Sequence, residues 1–482
     1  MHEALTLLGD LTDADRDWIF DNGEERQVIA ETRILEEGAT PDALWFVLEG
    51  LVGVYLSDLH DEQLYVHGPG ELLGEMSFLE QSPATATVRA VENTLLLALS
   101  RRKLEGKLEQ DAAFAARLYR SLARIVSQRL RRSVGVLGGR LFEGERHVEA
   151  TSDAWRRLAG PIDQFKSLMH KADREGGDNG DTVSEPLREQ IRAGLNAFIA
   201  LLNEELGDES PLAPHIKERL GSDVQRELLP YILLTRILER TYTKPRGYAG
   251  DFQTIEWLYQ AEPGGKGRLG PLLDGLMLLL PCVQAVQNRR GLLAEEIRKT
   301  IETRASDVTR VVSLACGPAR ELFDVYAELT DPAALRSTLI DIDAEALAMV
   351  EQRRDEQGLQ NSMDLVQGNL VYLATGRQQL EVEDQDLVYS IGLIDYFNDK
   401  FVVALLNFAF GILRPGGRVI LGNFHPRNPD KAFMDHVLDW KLIHRDEVAM
   451  DRLFEASAFA RPCTNLRFEA QGVNLFAECV RE

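Results

Sequence analysis

A short turn of small residues lies in the last third of the chain, between an apolar segment and a helical pattern. The stretch reads VVSLACGPARE, and a second apolar segment, STLIDID, contains Asp341 a little over twenty residues beyond Gly317. In a doubly wound sheet such a turn lies at the carboxyl end of a strand, where ligands bind, and small residues let the backbone approach them closely. An acid at the end of the next strand can accept both hydroxyls of a ribose. The spacing therefore predicts a nucleoside-binding site.

Three further elements follow along the chain. LVQGN places Asn369 at the end of a third strand, QDLVYSIGLIDYF forms a fourth with Asp386 at its start, and LRPGGRVILGNF puts a Pro-Gly-Gly turn before a fifth. Short apolar strands that alternate with helical segments predict a parallel, doubly wound sheet. Asp343 is predicted to cap the helix that follows the second strand.

The order of these five elements resembles the class I S-adenosylmethionine-dependent methyltransferases. The resemblance implies a Rossmann-like core with S-adenosyl-L-methionine as cofactor. It places the methionine part against Ala315, Cys316 and Gly317, the ribose at Asp341, the adenine at Asn369 and Leu370, and the methyl-transfer cleft at Ile391 and Gly392. The chain departs from the family at Ala315 and Ala319, where most members have Gly. A nicotinamide-binding Rossmann domain is disfavoured because the G-x-G-x-x-G fingerprint is absent.

The chemistry of the methyl acceptor decides which other residues matter. A carboxylate is already ionised near neutral pH and needs only orientation, whereas a hydroxyl or an amine needs a nearby base. The candidate bases at the rim of the predicted cleft are Asp395, Tyr396 and His425, the last in NFHPRNP directly after the fifth strand. The alternative interpretations are a cleft-wall role for Tyr396 and a surface-loop position for His425.

The region from about Glu143 to Arg304 is almost wholly helical by its apolar period. Its most unusual stretch is TKPRGYAGDF, which is either a helix-capping turn or a loop that closes over cofactor or substrate through Arg246, Tyr248 and Asp251. Farther on, AVQNRRG contains Arg289, whose guanidinium can form two parallel hydrogen bonds with a carboxylate of the cofactor or of the acceptor.

TKPRGYAGDF, AVQNRR and WKLIHR together resemble methyltransferases of bacterial extracellular-factor, 3-hydroxypalmitic acid methyl ester, biosynthesis. This resemblance covers the chain from about Glu143 to its end. It implies methylation of a carboxylate on a small or lipid-like acceptor, such as a hydroxy fatty acid, and a substrate or lid role for Arg246, Tyr248, Asp251, Arg289 and Arg445. The rival hypothesis is a non-catalytic protein that senses S-adenosylmethionine or a nucleotide. The full set of cofactor elements favours turnover.

Short alternating strands between about Thr32 and Ser100 predict a β-barrel or sandwich, flanked by helices at Asp13 to Asn22 and from about Asp111 to Arg132. ALWFVLEGLVGVY and GPGELLGEMSFLEQSPATATVRA resemble the cyclic-nucleotide-binding domain of catabolite-activator regulators and of protein kinase regulatory subunits. The resemblance implies a regulatory-ligand site at Gly74, Glu75, Thr85 and Thr87, with Glu75 on the ribose hydroxyl.

This predicted site departs from the family at Ala84, which stands where the Arg that contacts the phosphate belongs. Loss of that Arg removes a charge-assisted contact. Three alternatives remain: a weakly bound cyclic nucleotide helped by Thr85, Thr87 or Arg89, another ligand, or a docking and dimerisation module. The helix after the barrel corresponds to the dimer helix of such regulators, which implies a homodimer. A transcription factor is disfavoured because helices of the middle region replace the DNA-binding tail.

The 482 residues are predicted to form a cyclic-nucleotide-binding-like domain with a dimer helix (1–140), a helical substrate or lid region (141–304) and a methyltransferase core (305–482).

A net charge of −23 argues against nucleic acid as a partner. No apolar run reaches the roughly 18 residues of a membrane span, and LMLLLPCV at Leu276 to Val283 is predicted to be a buried helix. The acidic start predicts a cytoplasmic location. Four cysteines without a CxxC pair predict free thiols and no metal site.

Overall fold

The computed structural model describes residue 7 and residues 11–55, 63–80, 82–137, 145–175, 183–304 and 308–482. Over these residues the chain forms an N-terminal β-sandwich with flanking helices, a helical middle region and a C-terminal α/β sheet. The multidomain architecture predicted from the sequence is therefore confirmed.

Helix α1 (Asp13–Asn22) belongs to the N-terminal domain, and its bounds match the prediction. A capping box begins α1, since Thr12 and Asp15 each accept a hydrogen bond from the other's amide. In the described residues, eight strands form two four-stranded sheets with the orders β1-β8-β3-β6 and β2-β7-β4-β5. They are β1 (Glu24–Val28), β2 (Arg33–Leu35), β3 (Ala43–Glu49), β4 (Val52–Tyr55), β5 (Gln63–His67), β6 (Leu72–Leu73), β7 (Thr87–Ala90) and β8 (Thr94–Ser100).

Three further helices of this domain lie in the described part of the chain: α2 (Glu75–Glu80), α3 (Arg101–Gln110) and α4 (Ala112–Leu137). The Asp111 carboxylate accepts from the Phe114 amide and so marks the start of α4. Apolar residues recur every three or four positions along α4, which places them on one face. These residues, Phe114, Leu118, Leu122 and Ile125, are fully buried in the core of the domain. Helix α4 also contacts the middle region, through helix Pro214–Ile232 of the same chain.

The middle region is helical, as predicted. Its described helices are α5 (Glu145–Glu175), α6 (Glu185–Leu206), α7 (Pro214–Ile232), α8 (Ile237–Thr243), α9 (Phe252–Gln260), α10 (Leu269–Met277) and α11 (Pro281–Arg304). The prediction of one helix across Leu276 to Val283 was wrong: α10 ends at Met277, and α11 begins at Pro281 at an angle of 63°. Proline has no amide hydrogen and disfavours helix at the preceding residue, but it is well suited to a first helical position.

Within the described ranges, no single helix is long and apolar enough to cross a membrane. Helices α10 and α11 meet that criterion only when the bent pair is taken together.

The C-terminal region contains a seven-stranded sheet within the described residues, in the order β11-β10-β9-β12-β13-β15-β14. The first five strands are parallel, as predicted, whereas β15 and β14 form an antiparallel edge. The strands are β9 (Thr309–Leu314), β10 (Leu335–Asp341), β11 (Met363–Gln367), β12 (Gln385–Ile391), β13 (Leu413–Phe424), β14 (Asn465–Phe468) and β15 (Asn474–Val480). The helices are α12 (Arg320–Glu328), α13 (Ala344–Glu356), α14 (Leu370–Ala374), α15 (Asp399–Ile412), α16 (Lys431–His436) and α17 (Glu447–Glu455).

Both faces of this sheet are covered. Successive strand residues point to opposite faces, and Val311 and Val312 of β9 accordingly belong to two different apolar clusters. The strand order reverses between β9 and β12, which is the position where open α/β sheets bind ligands.

The middle region shares an apolar core with the C-terminal region. Phe433 and Met434 of α16 pack in the same cluster as the helices of the middle region. Backbone groups are paired across the boundary as well: the Asn203 side chain accepts from the Ala432 amide at 3.0 Å, and the Cys282 amide donates to Asp430 at 2.7 Å. These two parts of the chain are therefore packed against each other and joined by hydrogen bonds.

Candidate active site

A cavity opens at the carboxyl ends of β9 to β12, and residues from all three parts of the chain line it. It brings together every predicted cofactor residue and several of the other candidates, which are Ala315, Cys316, Gly317, Asp341, Asn369, Leu370, Ile391, Gly392, Tyr248, Arg289, Asp395 and Tyr396. The structure places the remaining candidates of the C-terminal and middle regions, Arg246, Asp251, His425 and Arg445, outside the lining.

The turn after β9 carries three residues in left-handed backbone conformation. Ala315, Gly317 and Ala319 have φ values of 55°, 53° and 48°. This geometry explains why Gly is common in the family at both alanine positions, because an L-residue is strained there. A Cβ built on Gly317 would meet no protein atom within 4 Å. The open space beside Gly317 lets a ligand approach the backbone.

Asp341 ends β10 beside this turn. Its carboxylate accepts hydrogen bonds from the Gly317 amide at 2.8 Å and from the Asp343 amide at 3.0 Å. Burial raises the pKa of Asp341 from 3.8 to about 6, although the two amides partly offset that effect. Each oxygen retains a lone pair for a ligand hydroxyl. Asp343 caps α13, as predicted.

Asn369 follows β11 and fixes the next part of the cavity. Its side-chain oxygen accepts from the Val371 amide at 2.9 Å and so caps the short helix α14. This cap holds Leu370 and Val371 at the cavity wall. The cap also accounts for an Asn at this position, since Asn is among the preferred N-cap residues.

Two buried charged groups face the cavity near the turn. Glu321 accepts a hydrogen bond from the Tyr389 hydroxyl at 2.7 Å, and burial raises the pKa of Glu321. Arg289 of α11 is 5% exposed and donates through Nε to the Tyr259 hydroxyl at 3.3 Å. Its guanidinium lies against Gly392: a Cβ there would be 2.8 Å from Nη1 and 3.3 Å from Nη2. Sequence reasoning missed Glu321, Tyr389 and Tyr259.

Asp395 and Tyr396 follow Gly392 in the sequence, a few residues after the end of β12. The Asp395 carboxylate accepts from the Phe424 amide at 2.6 Å, and burial raises its pKa from 3.8 to about 6. The Tyr396 hydroxyl accepts from the indole of Trp440 at 2.9 Å. Burial raises the pKa of Tyr396 far above its ordinary value. A neutral phenol is a poor base, so Asp395 is the better of these two candidate bases.

His425 is held in a separate contact. Its Nδ1 accepts from the Arg427 amide at 3.0 Å, which places the ring proton on Nε2, 3.0 Å from Glu447. The residue is buried rather than on a surface loop. Both ring nitrogens are therefore engaged in hydrogen bonds, one within the segment after β13 and one to Glu447 at the start of α17.

Arg445 is buried and does not line the cavity. It donates to the carbonyl oxygens of Ile394 and Phe397, to the side chain of Asn423 and to Asp399, over distances of 2.5 to 3.0 Å. The first two acceptors bound the segment that carries Asp395 and Tyr396. Arg445 therefore positions the two candidate catalytic residues.

The TKPRGYAGDF loop contains a helix cap and also contributes a side chain to the cavity lining. Asp251 caps α9 and pairs with Arg240, and Arg246 forms a two-pronged ion pair with Asp343 at 2.6 and 2.8 Å. These contacts hold the loop at the edge of the sheet. Between them, Tyr248 reaches the cavity and meets Tyr396 edge to face, with ring centroids 6.3 Å apart.

The predicted regulatory-ligand residues lie around the start of α2 and of β7. Gly74 has a φ of 84°, Glu75 is buried, and the Thr87 hydroxyl accepts from the Glu37 amide at 3.2 Å, whereas Thr85 is exposed. At Ala84 the backbone pairs with Gly38 and Ala39 at 2.8 Å in both directions. The methyl group of Ala84 offers no charge at the position where the family has Arg.

Comparisons with known proteins agree with this architecture. Residues 311–417 match the family model described as a methyltransferase domain, and residues 25–111 match the cyclic nucleotide-binding domain. The C-terminal region is therefore a methyltransferase domain, and its cofactor is S-adenosylmethionine. The cyclic AMP receptor protein of Thermus thermophilus is 31% identical over 166 residues, which are 34% of this chain and 74% of the receptor. Through its N-terminal domain, the chain belongs to the cyclic nucleotide-binding family that contains this receptor.

Solved structures give more distant similarities. A possible exported protein from Bordetella parapertussis is 18% identical, with a TM-score of 0.39, and the match covers 70% of this chain and 99% of that protein. Magnesium protoporphyrin IX methyltransferase from Synechocystis, solved with bound S-adenosylmethionine, is 12% identical, with a TM-score of 0.31 over 42% of this chain and 83% of the enzyme.

The residues of the cavity fit S-adenosylmethionine. Asp341 has acceptor capacity for ribose hydroxyls, and the open side of Gly317 leaves room beside the turn. Glu321 supplies a buried carboxylate for the ammonium group of the methionine part. A low-polarity surrounding strengthens the attraction between a buried carboxylate and a positively charged group of a ligand.

Proposed function

We propose that this protein transfers a methyl group from S-adenosylmethionine to the carboxylate of a small or lipid-like acceptor, such as a hydroxy fatty acid, and so forms a methyl ester. The observation that carries the proposal is the buried guanidinium of Arg289 beside Gly392. By the family resemblance, Gly392 lines the methyl-transfer cleft. A guanidinium at that point binds a carboxylate through two parallel hydrogen bonds.

The walls around Arg289 favour an acceptor with an apolar part. Val286, Leu293, Phe424, Trp440 and Leu442 line the same cavity. Apolar walls with few polar groups bury the apolar part of a ligand, while the polar groups fix its orientation. An acyl chain among these side chains with its carboxylate on Arg289 satisfies both requirements.

The reaction needs no general base when the acceptor is a carboxylate. S-adenosylmethionine, when bound, supplies a methyl group on a sulfonium. Transfer to an acceptor oxygen would form a C–O bond as the C–S bond breaks and would leave a thioether, so no residue of this chain would have to take up a proton. Arg289 orients the acceptor, Tyr248 and Tyr396 close the cavity against water, and Asp341 fixes the cofactor ribose.

Radiolabelled S-adenosylmethionine tests this proposal with a panel of fatty acids, hydroxy fatty acids, alcohols and amines. A methyl ester releases volatile labelled methanol in alkali, whereas methylated amines and ethers do not. We expect alkali-labile label with the acids. Cofactor binding without transfer to any acceptor would instead support the sensor hypothesis.

Substitution of Arg289 tests its role in the site. We expect Arg289→Gln to raise the KM for the acceptor about tenfold or more, since a charge-assisted pair is lost. The dissociation constant for S-adenosylmethionine should change little. Arg290→Gln is the matched control, because the neighbouring Arg290 pairs with Asp324 outside the cavity. A loss of cofactor affinity in Arg289→Gln would place the methionine carboxylate on Arg289 and contradict the assignment.

We also propose that a small ligand at Gly74 and Glu75 regulates the enzyme, and that the protein is a cytoplasmic homodimer. The family of the N-terminal domain supports a cyclic nucleotide, and Ala84 predicts weak affinity for one. Thermal unfolding with cyclic AMP and cyclic GMP tests the ligand, and light scattering on the full chain tests the dimer. An unfolding temperature that does not move at millimolar nucleotide would rule out cyclic AMP and cyclic GMP as that ligand.

A further inference from the structure

The cavity of the methyltransferase is lined in part by the other domain. Phe46, Val47 and Leu48 of β3, together with Pro69 and Gly70 of the β5–β6 connection, contribute to its lining. The methyltransferase domain contributes the segment after β11, which includes Asn369 to Tyr372, to the lining of the same cavity. By the family resemblance, that segment holds the adenine.

Further contacts hold the N-terminal domain against this segment. The Arg377 guanidinium lies 3.6 Å from the ring centroid of Phe20, and the Tyr372 hydroxyl donates to Glu25 at 3.1 Å. Val371 and Tyr372 also pack against the apolar core of the N-terminal domain. Both apolar packing and polar contacts therefore hold the N-terminal domain against the segment after β11.

A second contact joins the two domains through the TKPRGYAGDF loop. A Cβ on Gly68 would lie 2.9 Å from the carbonyl oxygen of Arg246 and 3.1 Å from the Cα of Gly247. A Cβ on Gly247 would lie 2.7 Å from the Cα of Gly68. The two backbones therefore touch directly, and only glycines allow this approach.

We propose that the N-terminal domain supplies one wall of the S-adenosylmethionine site, over the adenine, so that cofactor affinity depends on the docking of this domain. The inference rests on the proposed function and deepens it. A ligand that contacts both domains favours the docked arrangement. By linkage, docking strengthens cofactor binding by the same factor by which the bound cofactor stabilises docking.

The wall is continuous with the predicted regulatory-ligand residues. Gly70 and Gly74, with φ values of 86° and 84°, flank Glu71 and the short strand β6. The Gly70 amide donates to the Val47 carbonyl at 2.7 Å, and the Val47 amide donates to the Glu71 carbonyl at 3.0 Å. Only three residues therefore separate Gly70 of the wall from the turn at Gly74 that precedes α2.

Hydrogen exchange on the full, unmodified chain tests the wall without any substitution. We expect saturating S-adenosylmethionine to slow exchange in residues 43–49 and 68–73 as well as in residues 313–321 and 367–373. Protection confined to the C-terminal residues would overturn the inference and leave the proposed function intact. Protection in neither region would mean that the cofactor does not bind, and both would fail.

A matched pair of glycine variants tests the dependence on docking. Gly68→Ala inserts a methyl group between two backbones, and we expect the dissociation constant for S-adenosylmethionine, measured by calorimetry, to rise at least about tenfold. Gly106→Ala is the control in the same domain, since a Cβ there would meet no atom within 4 Å. Equal affinity in the two variants would overturn the inference. If Gly68→Ala fails to fold, Arg377→Met removes the docking contact with Phe20 through a residue that does not itself line the cavity. It should weaken cofactor binding in the same direction.

Discussion

Backbone conformation at single residues decides how close the cofactor comes to the sheet. Ala315 and Ala319 occupy left-handed positions that cost each alanine about 1 kcal/mol relative to a right-handed one. Gly317 between them has no such cost, and its missing side chain leaves the cavity open. We therefore expect the turn not to tolerate alanine at Gly317.

A comparison of two glycines separates backbone strain from obstruction of the cavity. Gly317→Ala and Gly358→Ala each place alanine at positive φ with no protein atom within 4 Å of the new Cβ. We expect both to lose about 1 kcal/mol of unfolding free energy in urea. Only Gly317→Ala should weaken S-adenosylmethionine binding, by about tenfold or more in calorimetry. Equal cofactor affinity in the two variants would show that the ligand does not approach Gly317.

The buried carboxyl of Asp395 makes stability depend on pH. Folding raises its pKa from 3.8 to about 6, so the stability it contributes is fully present below pH 3.8 and is lost as the pH rises through about 6. Asp395→Asn removes this dependence and can still accept from the Phe424 amide. We expect the stability of the variant relative to wild type to rise by about 2 kcal/mol from pH ~4.5 to pH ~7.5. Urea unfolding at a series of pH values measures it, and a flat difference would contradict the raised pKa.

The same variant distinguishes the two kinds of acceptor chemistry. With a carboxylate acceptor, Asp395→Asn should keep turnover within about tenfold of wild type, because no proton is removed. A loss of about 10² or more would identify Asp395 as a general base and contradict the carboxylate proposal.

At the scale of elements, a side chain remote from the cavity sets the position of the catalytic segment. Arg445 follows an irregular stretch after α16 and donates five hydrogen bonds, two of which go to the carbonyl oxygens of Ile394 and Phe397. Its substitution leaves buried carbonyl oxygens without donors, which is costly.

We expect Arg445→Gln to lower the unfolding free energy by about 3 kcal/mol and to reduce turnover more than cofactor affinity. Arg192→Gln is a suitable control, since Arg192 pairs with Glu189 on an exposed helix face and should contribute less than about 0.5 kcal/mol. Urea unfolding and steady-state kinetics measure the two effects. An Arg445 variant as stable as the control would show that the hydrogen bonds of Arg445 are not needed for stability.

Local pattern predicted the elements well and their contacts poorly. The strands that end at Asp341 and before Asn369 could be predicted, because parallel strands are continuous apolar runs that end at ligand-binding turns. The role of Arg445 could not, since its partners depend on how an irregular segment folds back under β12. Glu321 was missed for a related reason: an acid in the first turn of a helix is ordinarily a solvated, dipole-favoured residue. The wall from Phe46 to Leu48 depends on how two domains dock, which helical and strand periodicity do not encode.

At the scale of the whole molecule, the cores divide the chain differently from the predicted boundaries at 141–304 and 305–482. The apolar cluster of the middle helices includes Phe433 and Met434 of the C-terminal region, and Gln225 donates to the Val437 carbonyl at 2.8 Å. The N-terminal domain has its own two clusters. We therefore propose two folding units, one before α5 and one from α5 to the end of the chain.

Leu202→Ala tests this division. Leu202 is fully buried in the shared core, and its truncation should cost about 3 kcal/mol. If the middle and C-terminal regions unfold together, native-state hydrogen exchange should show the same loss of protection in β9 as in α6, because both depend on one opening reaction. Protection in β3 and β8 should stay unchanged without cofactor. Loss confined to the middle helices would mean that the sheet keeps its fold when those helices open, and the three predicted domains would then be independent units.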